Sequence, residues 1–191
     1  MKDLFCIILA GGIGSRFYPL SSTEQPKQFL DFFNEKESLI LKTYKRVSEF
    51  IDQKNIYVLT NKKYSKLTRA HLKDIPLKNI LCEPIQKNTA ASIAYGSFTI
   101  HKKNKNAKII VCPSDHLIKD IKKFKKICLK GFDYLNLKDQ IITIGITPKK
   151  AHTGYGYIQT IKSKNNEITT VKDFKEKPDK KTAQEFLDSK N

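Results

Sequence analysis

The sequence predicts an α/β fold, a mostly parallel β-sheet with helices on both faces. Three observations lead there. Short apolar runs of strand length alternate with stretches whose apolar residues recur at helical spacing. The first run passes directly into a glycine-rich loop, and further unusual motifs stand immediately after later runs. Strand–helix alternation implies a parallel sheet, and in such sheets ligands collect beyond the carboxyl ends of the strands. At 191 residues the chain is long enough for one domain with its own core, so residues 1–191 are expected to form a single domain with no second one.

Strands are expected at Leu4–Leu9, Ile56–Thr60, Asn79–Cys82, Lys108–Cys112, Gln140–Ile146, Tyr155–Ile161 and Thr170–Phe174. Met1-Lys2-Asp3 followed by Leu4 to Ala10 superficially resembles a secretion signal. The apolar run enters glycines rather than a spacer and cleavage site, so it reads as a buried first strand. Ser38 is placed to cap a helix carrying Ile40, Tyr44, Val47 and Ile51 on one face. Asn88 or Thr89 is placed to cap a helix over Ala90–Lys102, with Ile93, Ser97 and Ile100 on one face. Asp179 is placed to cap a last helix, Lys180–Ser189, with Ala183, Phe186 and Leu187 inward.

Composition narrows the function classes. Hydrophobic residues make up 39% and charged residues 29%, an ordinary globular balance. No stretch reaches the roughly 20 apolar residues of a membrane span, so no membrane role and a cytoplasmic location are expected. Cys6, Cys82, Cys112 and Cys128 are widely spaced without any C-x-x-C pair, which suggests buried thiols rather than zinc or redox chemistry. The formal net charge is +17, and only Arg16, Arg46 and Arg69 among the 36 basic residues are arginine. The lysines are scattered, and no nucleic-acid-binding signature accompanies them, so nucleic acid is not the expected partner.

The most informative segment is Leu9-Ala10-Gly11-Gly12-Ile13-Gly14-Ser15-Arg16-Phe17-Tyr18-Pro19-Leu20, followed by Pro26-Lys27-Gln28-Phe29. Glycines after a strand let the backbone approach a ligand and turn N–H groups toward one point, which suits phosphate oxygens. Arg16 adds a planar fork for phosphate, and Lys27 adds a compact point charge. Neither the G-x-G-x-x-G dinucleotide fingerprint nor the G-x-x-x-x-G-K-[ST] loop is present.

Four more segments stand at strand ends or turns. Glu83-Pro84-Ile85-Gln86-Lys87-Asn88-Thr89-Ala90 follows the third strand and leads into a helix, and alone it reads as a capped loop. Val111-Cys112-Pro113-Ser114-Asp115-His116 ends the next strand, where a carboxylate near phosphates is a natural Mg²⁺ ligand. Thr153-Gly154-Tyr155-Gly156-Tyr157-Ile158 reads as a turn entering a strand, and Phe174-Lys175-Glu176-Lys177-Pro178-Asp179 as a charged run before a helix.

Together these segments resemble, in order and over nearly the whole chain, the motifs of nucleoside-diphosphate-sugar pyrophosphorylases. The combination of P-K-Q-F, E-P-x-x-x-N-T-A and P-S-D-H is most similar to the mannose-1-phosphate guanylyltransferase family. The resemblance implies a Rossmann-like nucleotide-diphospho-sugar transferase fold, with GTP and mannose 1-phosphate converted to GDP-mannose and pyrophosphate. It implies nucleotide contacts for Ala10, Gly11, Gly12, Gly14, Ser15, Glu83, Pro84, Asn88, Thr89 and Ser114, with Lys87 replacing the arginine usual in that motif. It further implies catalytic roles for Arg16 and Lys27, a Mg²⁺ ligand in Asp115, and sugar-phosphate contacts for Gly154, Tyr155, Glu176 and Lys177.

A sugar-phosphate oxygen would attack the α-phosphorus in line, with catalysis by positioning and charge neutralisation. The family also carries an N-S-G segment and a second metal-binding Asp further on, and neither occurs in these 191 residues. The resemblance therefore predicts an incomplete C-terminal part, with a homo-oligomer or a missing C-terminal partner to complete it. An inactive or regulatory nucleotide-binding relative, an enzyme for another sugar 1-phosphate and nucleotide, and a basic nucleic-acid-binding protein are the alternatives.

Overall fold

The computed structural model describes residues 2–12, 19–137, 140–161 and 168–189. The chain divides into two compact units, 1–138 and 139–191.

The first unit is built on four parallel strands, β1 (Leu4–Leu9), β2 (Ile56–Thr60), β3 (Ile80–Cys82) and β4 (Lys108–Pro113), in the order β3-β2-β1-β4. The connections carry the helices α1 (Leu39–Ser48), α2 (Ser65–His71) and α3 (Asn88–Lys103), and α4 (Ile121–Tyr134) follows β4. Cys6 lies opposite Ile56, and Ile8 opposite Cys112. Helices cover both faces of the sheet at the inner strand β1, which is why Leu4–Leu9 is apolar throughout rather than alternating.

Because successive side chains point to opposite faces, the sheet carries two separate cores. Cys6, Ile8, Ile56, Val58 and Cys112 face one side with Ile40, Tyr44 and Val47 of α1 and Cys128 and Phe132 of α4. Phe5, Ile7, Tyr57 and Leu59 face the other side with Ile100 of α3. Helices thus cover both faces, as expected. The close approach of α3 depends on Gly96, where an added Cβ would lie 2.9 Å from Ile7 Cδ1 and 3.0 Å from Leu59 Cδ1.

The helix starts differ in detail from expectation. Ser38 flanks α1, but its hydroxyl meets the ring Nδ1 of His71 at 2.9 Å instead of capping the helix. The third helix begins at Asn88 itself, with Lys87 as the flanking residue and no side-chain cap. Asp120 caps α4 by accepting from the Lys123 N–H. Cys6, Cys112 and Cys128 are buried free thiols and Cys82 is half-buried; burial pushes the Cys128 thiol up to about 12.

The second unit contains an antiparallel pair, β5 (Gly156–Thr160) and β6 (Val171–Glu176), followed by α5 (Lys180–Ser189). The α5 cap is the expected one, with Asp179 accepting from Thr182 N–H at 2.8 Å. Ala183 is buried, and the Phe186 ring lies 5.6 Å from that of Tyr157. The expected strand Gln140–Ile146 takes no regular secondary structure, and Ile141, Ile144 and Ile146 are exposed. Strand propensity needs a paired neighbour to be realised, and these residues are outside both sheets. Among the described residues no helix is long and apolar enough to cross a membrane.

Candidate active site

The carboxyl ends of all four parallel strands meet around the start of the glycine loop. Ala10 N–H donates to Leu59 O at 2.8 Å, Glu83 N–H to Thr60 O at 2.8 Å, and Ser114 N–H to Leu9 O at 3.1 Å. Ala10, Gly11, Gly12, Glu83, Ser114 and Asp115 are thereby brought to one edge of the sheet. Gly14, Ser15 and Arg16 lie outside the described residues.

Among the described residues of the loop, the carbonyls of Ala10, Gly11 and Gly12 are all taken by side chains. Gln28, only 1% exposed, donates through Nε2 to Ala10 O at 2.9 Å and to Gly12 O at 3.0 Å. The Ala10 carbonyl also accepts from Thr60 Oγ1 at 3.3 Å. Gly11 O accepts from Gln86 Nε2 at 2.8 Å and from Asn61 Nδ2 at 3.4 Å. In a trans peptide the C=O of one residue and the N–H of the next point to opposite sides. Holding the Ala10 and Gly11 carbonyls against these groups therefore turns the Gly11 and Gly12 N–H groups the other way, an orientation that suits an anion-binding loop. An added Cβ at Gly11 would lie 3.0 Å from Glu83 Oε2, so a side chain there would crowd this carboxylate; Gly12 opens to space. The Glu83 carboxylate in turn accepts from Ser92 Oγ of α3.

Lys27 opens a 3-10 turn, Lys27–Phe29, after Pro26. Gln28 and Phe29 point inward, Phe29 against the rings of Tyr64 and His71 at 6.2 and 5.2 Å, while Lys27 is half-buried. Its ammonium forms an ion pair with Asp115 Oδ2. Neither group is sealed from solvent, the side chains being 27% and 21% exposed. Behind them Ser114 is buried, and its carbonyl accepts from Thr43 Oγ1 of α1 at 3.2 Å.

Pro84 is exposed before α3, and Asn88 and Thr89 are exposed in its first turn. Asn88 adopts φ 64°, in the left-handed region that non-glycine residues rarely occupy outside functional or tightly constrained positions.

In the second unit, Gly154 and Tyr155 lie in the turn before β5, and Glu176 ends β6. The antiparallel register sets Gly156 opposite Glu176, and Lys177 N–H donates to Tyr155 O at 3.1 Å, so the two expected sugar-phosphate segments are held side by side. Lys177 also has a positive φ, 44°, and its ammonium lies 3.3 Å from Glu176 Oε1. All four residues are exposed.

Sequence reasoning missed Gln28, Thr60, Asn61 and Gln86. Gln28 and Gln86 stand inside the recognised motifs and Asn61 directly after a strand, but their carbonyl partners are fixed by tertiary contact and leave no mark in the sequence.

The model of the nucleotidyl transferase family matches residues 5–190. A mannose-1-phosphate guanylyltransferase of Salmonella muenchen is 35% identical over 99% of the chain, and the xanthan biosynthesis protein XanB of Xanthomonas campestris is 34% identical over the same share. The chain spans only 40% of the length of each. Among solved structures, a Helicobacter pylori mannose-6-phosphate isomerase superposes with a TM-score of 0.77 at 33% identity, over 98% of this chain and 65% of that one. A Thermus thermophilus mannose-1-phosphate geranyltransferase shares the fold with a TM-score of 0.86 at 24% identity, over 97% and 53%.

Proposed function

Because the chain belongs to the nucleotidyl transferase family, we propose that it transfers a guanylyl group from GTP to mannose 1-phosphate, giving GDP-mannose and pyrophosphate. The observation that carries this reading is the Lys27–Asp115 pair, set beside a loop whose Ala10, Gly11 and Gly12 carbonyls are held by Gln28, Asn61 and Gln86. The choice of guanine and mannose is supported by the curated relatives that carry that name at 32 to 36% identity.

The α- and β-phosphates would lie on the Gly11–Gly12 backbone, continued by Gly14, Ser15 and Arg16, with Arg16 neutralising the departing pyrophosphate. Lys27 would sit over the α-phosphate and the attacking oxygen, where it offsets charge that grows in the transition state. Glu83, Pro84, Asn88 and Thr89 would line the base side. Gly154, Tyr155, Glu176 and Lys177 would fix the sugar phosphate. Asp115 fits a Mg²⁺ site of the kind completed by substrate phosphates, since magnesium is commonly bound by one or two carboxylates plus phosphate oxygens. When bound, the ion would supply positive charge that stabilises the phosphate groups. Asp115 would hold the ion, and Lys27 would face the α-phosphate. A cytoplasmic location, where the nucleotide is available, belongs to the same reading.

The test is pyrophosphate release with Mg²⁺, across GTP, dTTP, UTP and CTP and several sugar 1-phosphates. GTP with mannose 1-phosphate is expected to be turned over best. Lys27→Ala is expected to lower the rate by about 10²–10³, the usual effect of removing one positioned charge. Near-normal turnover by Lys27→Ala would refute its assignment. GTP binding without turnover by any pair would identify a nucleotide-binding relative instead of an enzyme.

A further inference from the structure

Below the Asp115 loop lies a buried cation for which this chemistry has no direct use. Arg46 of α1 is 5% exposed. Its Nη2 donates to Thr43 Oγ1 at 3.0 Å, and its Nη1 to His116 O at 3.3 Å. Thr43 Oγ1 in turn donates a hydrogen bond to Ser114 O at 3.2 Å. The two carbonyls that bracket Asp115 in sequence are thus both tied to α1, one directly by the guanidinium and one through the hydroxyl. Phe124 of α4 covers the guanidinium, 5.6 Å from ring centroid to Cζ.

This arrangement is costly. Among the described residues no Asp or Glu pairs with Arg46, and its Nε has no hydrogen-bond partner. Burying a charge without a counter-charge usually costs several kcal/mol, and here burial also draws the guanidinium pKa below its ordinary value. An apolar residue in this place would pack against Phe124 at less cost. What it would not do is grip two backbone carbonyls from inside the core. The grip is directional, because a planar fork fixes angles as well as distances.

We propose that Arg46, acting with Thr43, is a positioning residue for the Pro113–His116 loop, holding the Asp115 carboxylate where it receives a divalent cation together with nucleotide phosphates. This rests on the nucleotidyl-transfer reading above. Groups that orient a metal-binding residue without touching the metal typically contribute about 10- to 100-fold to metal affinity.

The experiment measures Mn²⁺ binding to the GTP-loaded protein by electron paramagnetic resonance, without sugar phosphate, for wild type, Thr43→Val, Arg46→Lys and Arg46→Met. Near-ultraviolet circular dichroism and thermal midpoints check folding. Thr43→Val and Arg46→Met are expected to weaken Mn²⁺ binding by about 10- to 100-fold, with Arg46→Lys in between because it keeps one donor and the charge. GTP binding in EDTA should not change. In an Asp115→Asn background, adding Thr43→Val should weaken the metal no further. Folded variants that bind Mn²⁺ as wild type does would overturn the proposal, as would an equal loss in the Asp115→Asn background. If Arg46→Met does not fold, Thr43→Val decides, since it preserves shape and charge. If wild type itself binds no Mn²⁺ in the presence of GTP, the nucleotidyl-transfer reading fails, and this inference with it.

Discussion

Gln28 shows how much of a site can rest on one amide. It follows Lys27 directly, so the same 3-10 turn sends one side chain to the cleft and the other under the glycine loop. Its Nε2 carries two protons and meets two carbonyls, Ala10 at 2.9 Å and Gly12 at 3.0 Å. Replacing it by Glu preserves size but removes both donors and sets a buried carboxylate against two acceptor oxygens. Leaving buried partners unsatisfied costs about 1–3 kcal/mol each. Gln28→Glu is therefore expected to bind GTP at least tenfold more weakly, about 1.4 kcal/mol at room temperature, by isothermal titration calorimetry. Gln28→Met, which removes the donors without adding charge, should fall between the two. GTP affinity in Gln28→Glu equal to wild type would show that the loop holds its carbonyls without this residue. The sequence marked Lys27 as chemistry and passed over its neighbour because a buried glutamine has no signature until its acceptors are known.

At the scale of elements, β1 and β2 occupy the residues expected of them, since each is a short apolar run ended by residues that leave the sheet. The run Gln140–Ile146 carries four isoleucines, yet it is in neither sheet. Local composition states a preference for extended backbone, and the hydrogen-bonding neighbour decides whether it becomes a strand. Helix starts divide in the same way. Asp179 caps α5 because its acceptors and the Thr182 N–H are three residues apart, a local matter. Ser38 does not cap α1, because the His71 ring competes for its hydroxyl across 33 residues. The seat of α3 was equally hidden: Gly96 looks like a weak point in a helix, where it costs about 1 kcal/mol against alanine. Its neighbours show why it is glycine, with Ile7 and Leu59 occupying the space a side chain would need. Gly96→Val is accordingly expected to destabilise the first unit by about 1–3 kcal/mol through overpacking, read as a lower urea midpoint. An unchanged midpoint would mean that α3 shifts freely on the sheet. Because Glu83 is tied to Ser92 of the same helix, the variant should also weaken GTP binding.

Over the whole molecule, the charge of +17 has a kinetic consequence if every substrate and product is a phosphate. A positive field raises the encounter rate with anions and does so at long range, but it fades as salt shortens the screening length. Between about 0.01 M and about 0.1 M ionic strength the Debye length falls from about 30 Å to about 10 Å. Scattered lysines act beyond contact distance only in the first condition. The second-order constant kcat/KM for GTP is therefore expected to fall several-fold across this range at constant free Mg²⁺. Meanwhile kcat, measured at saturation, should hold, because screening slows encounter and leaves the bound complex alone. Lys122, Lys123 and Lys126 of α4 are exposed and separate from every proposed substrate contact. Changing all three to Glu should lower kcat/KM at low salt and converge on wild type as salt rises. A salt-independent kcat/KM in wild type would assign the lysines to solubility alone. A fall in kcat of equal size would place the salt effect on the bound phosphates, and so on the local charges of Arg16, Lys27 and Lys177 rather than on the field of the whole chain.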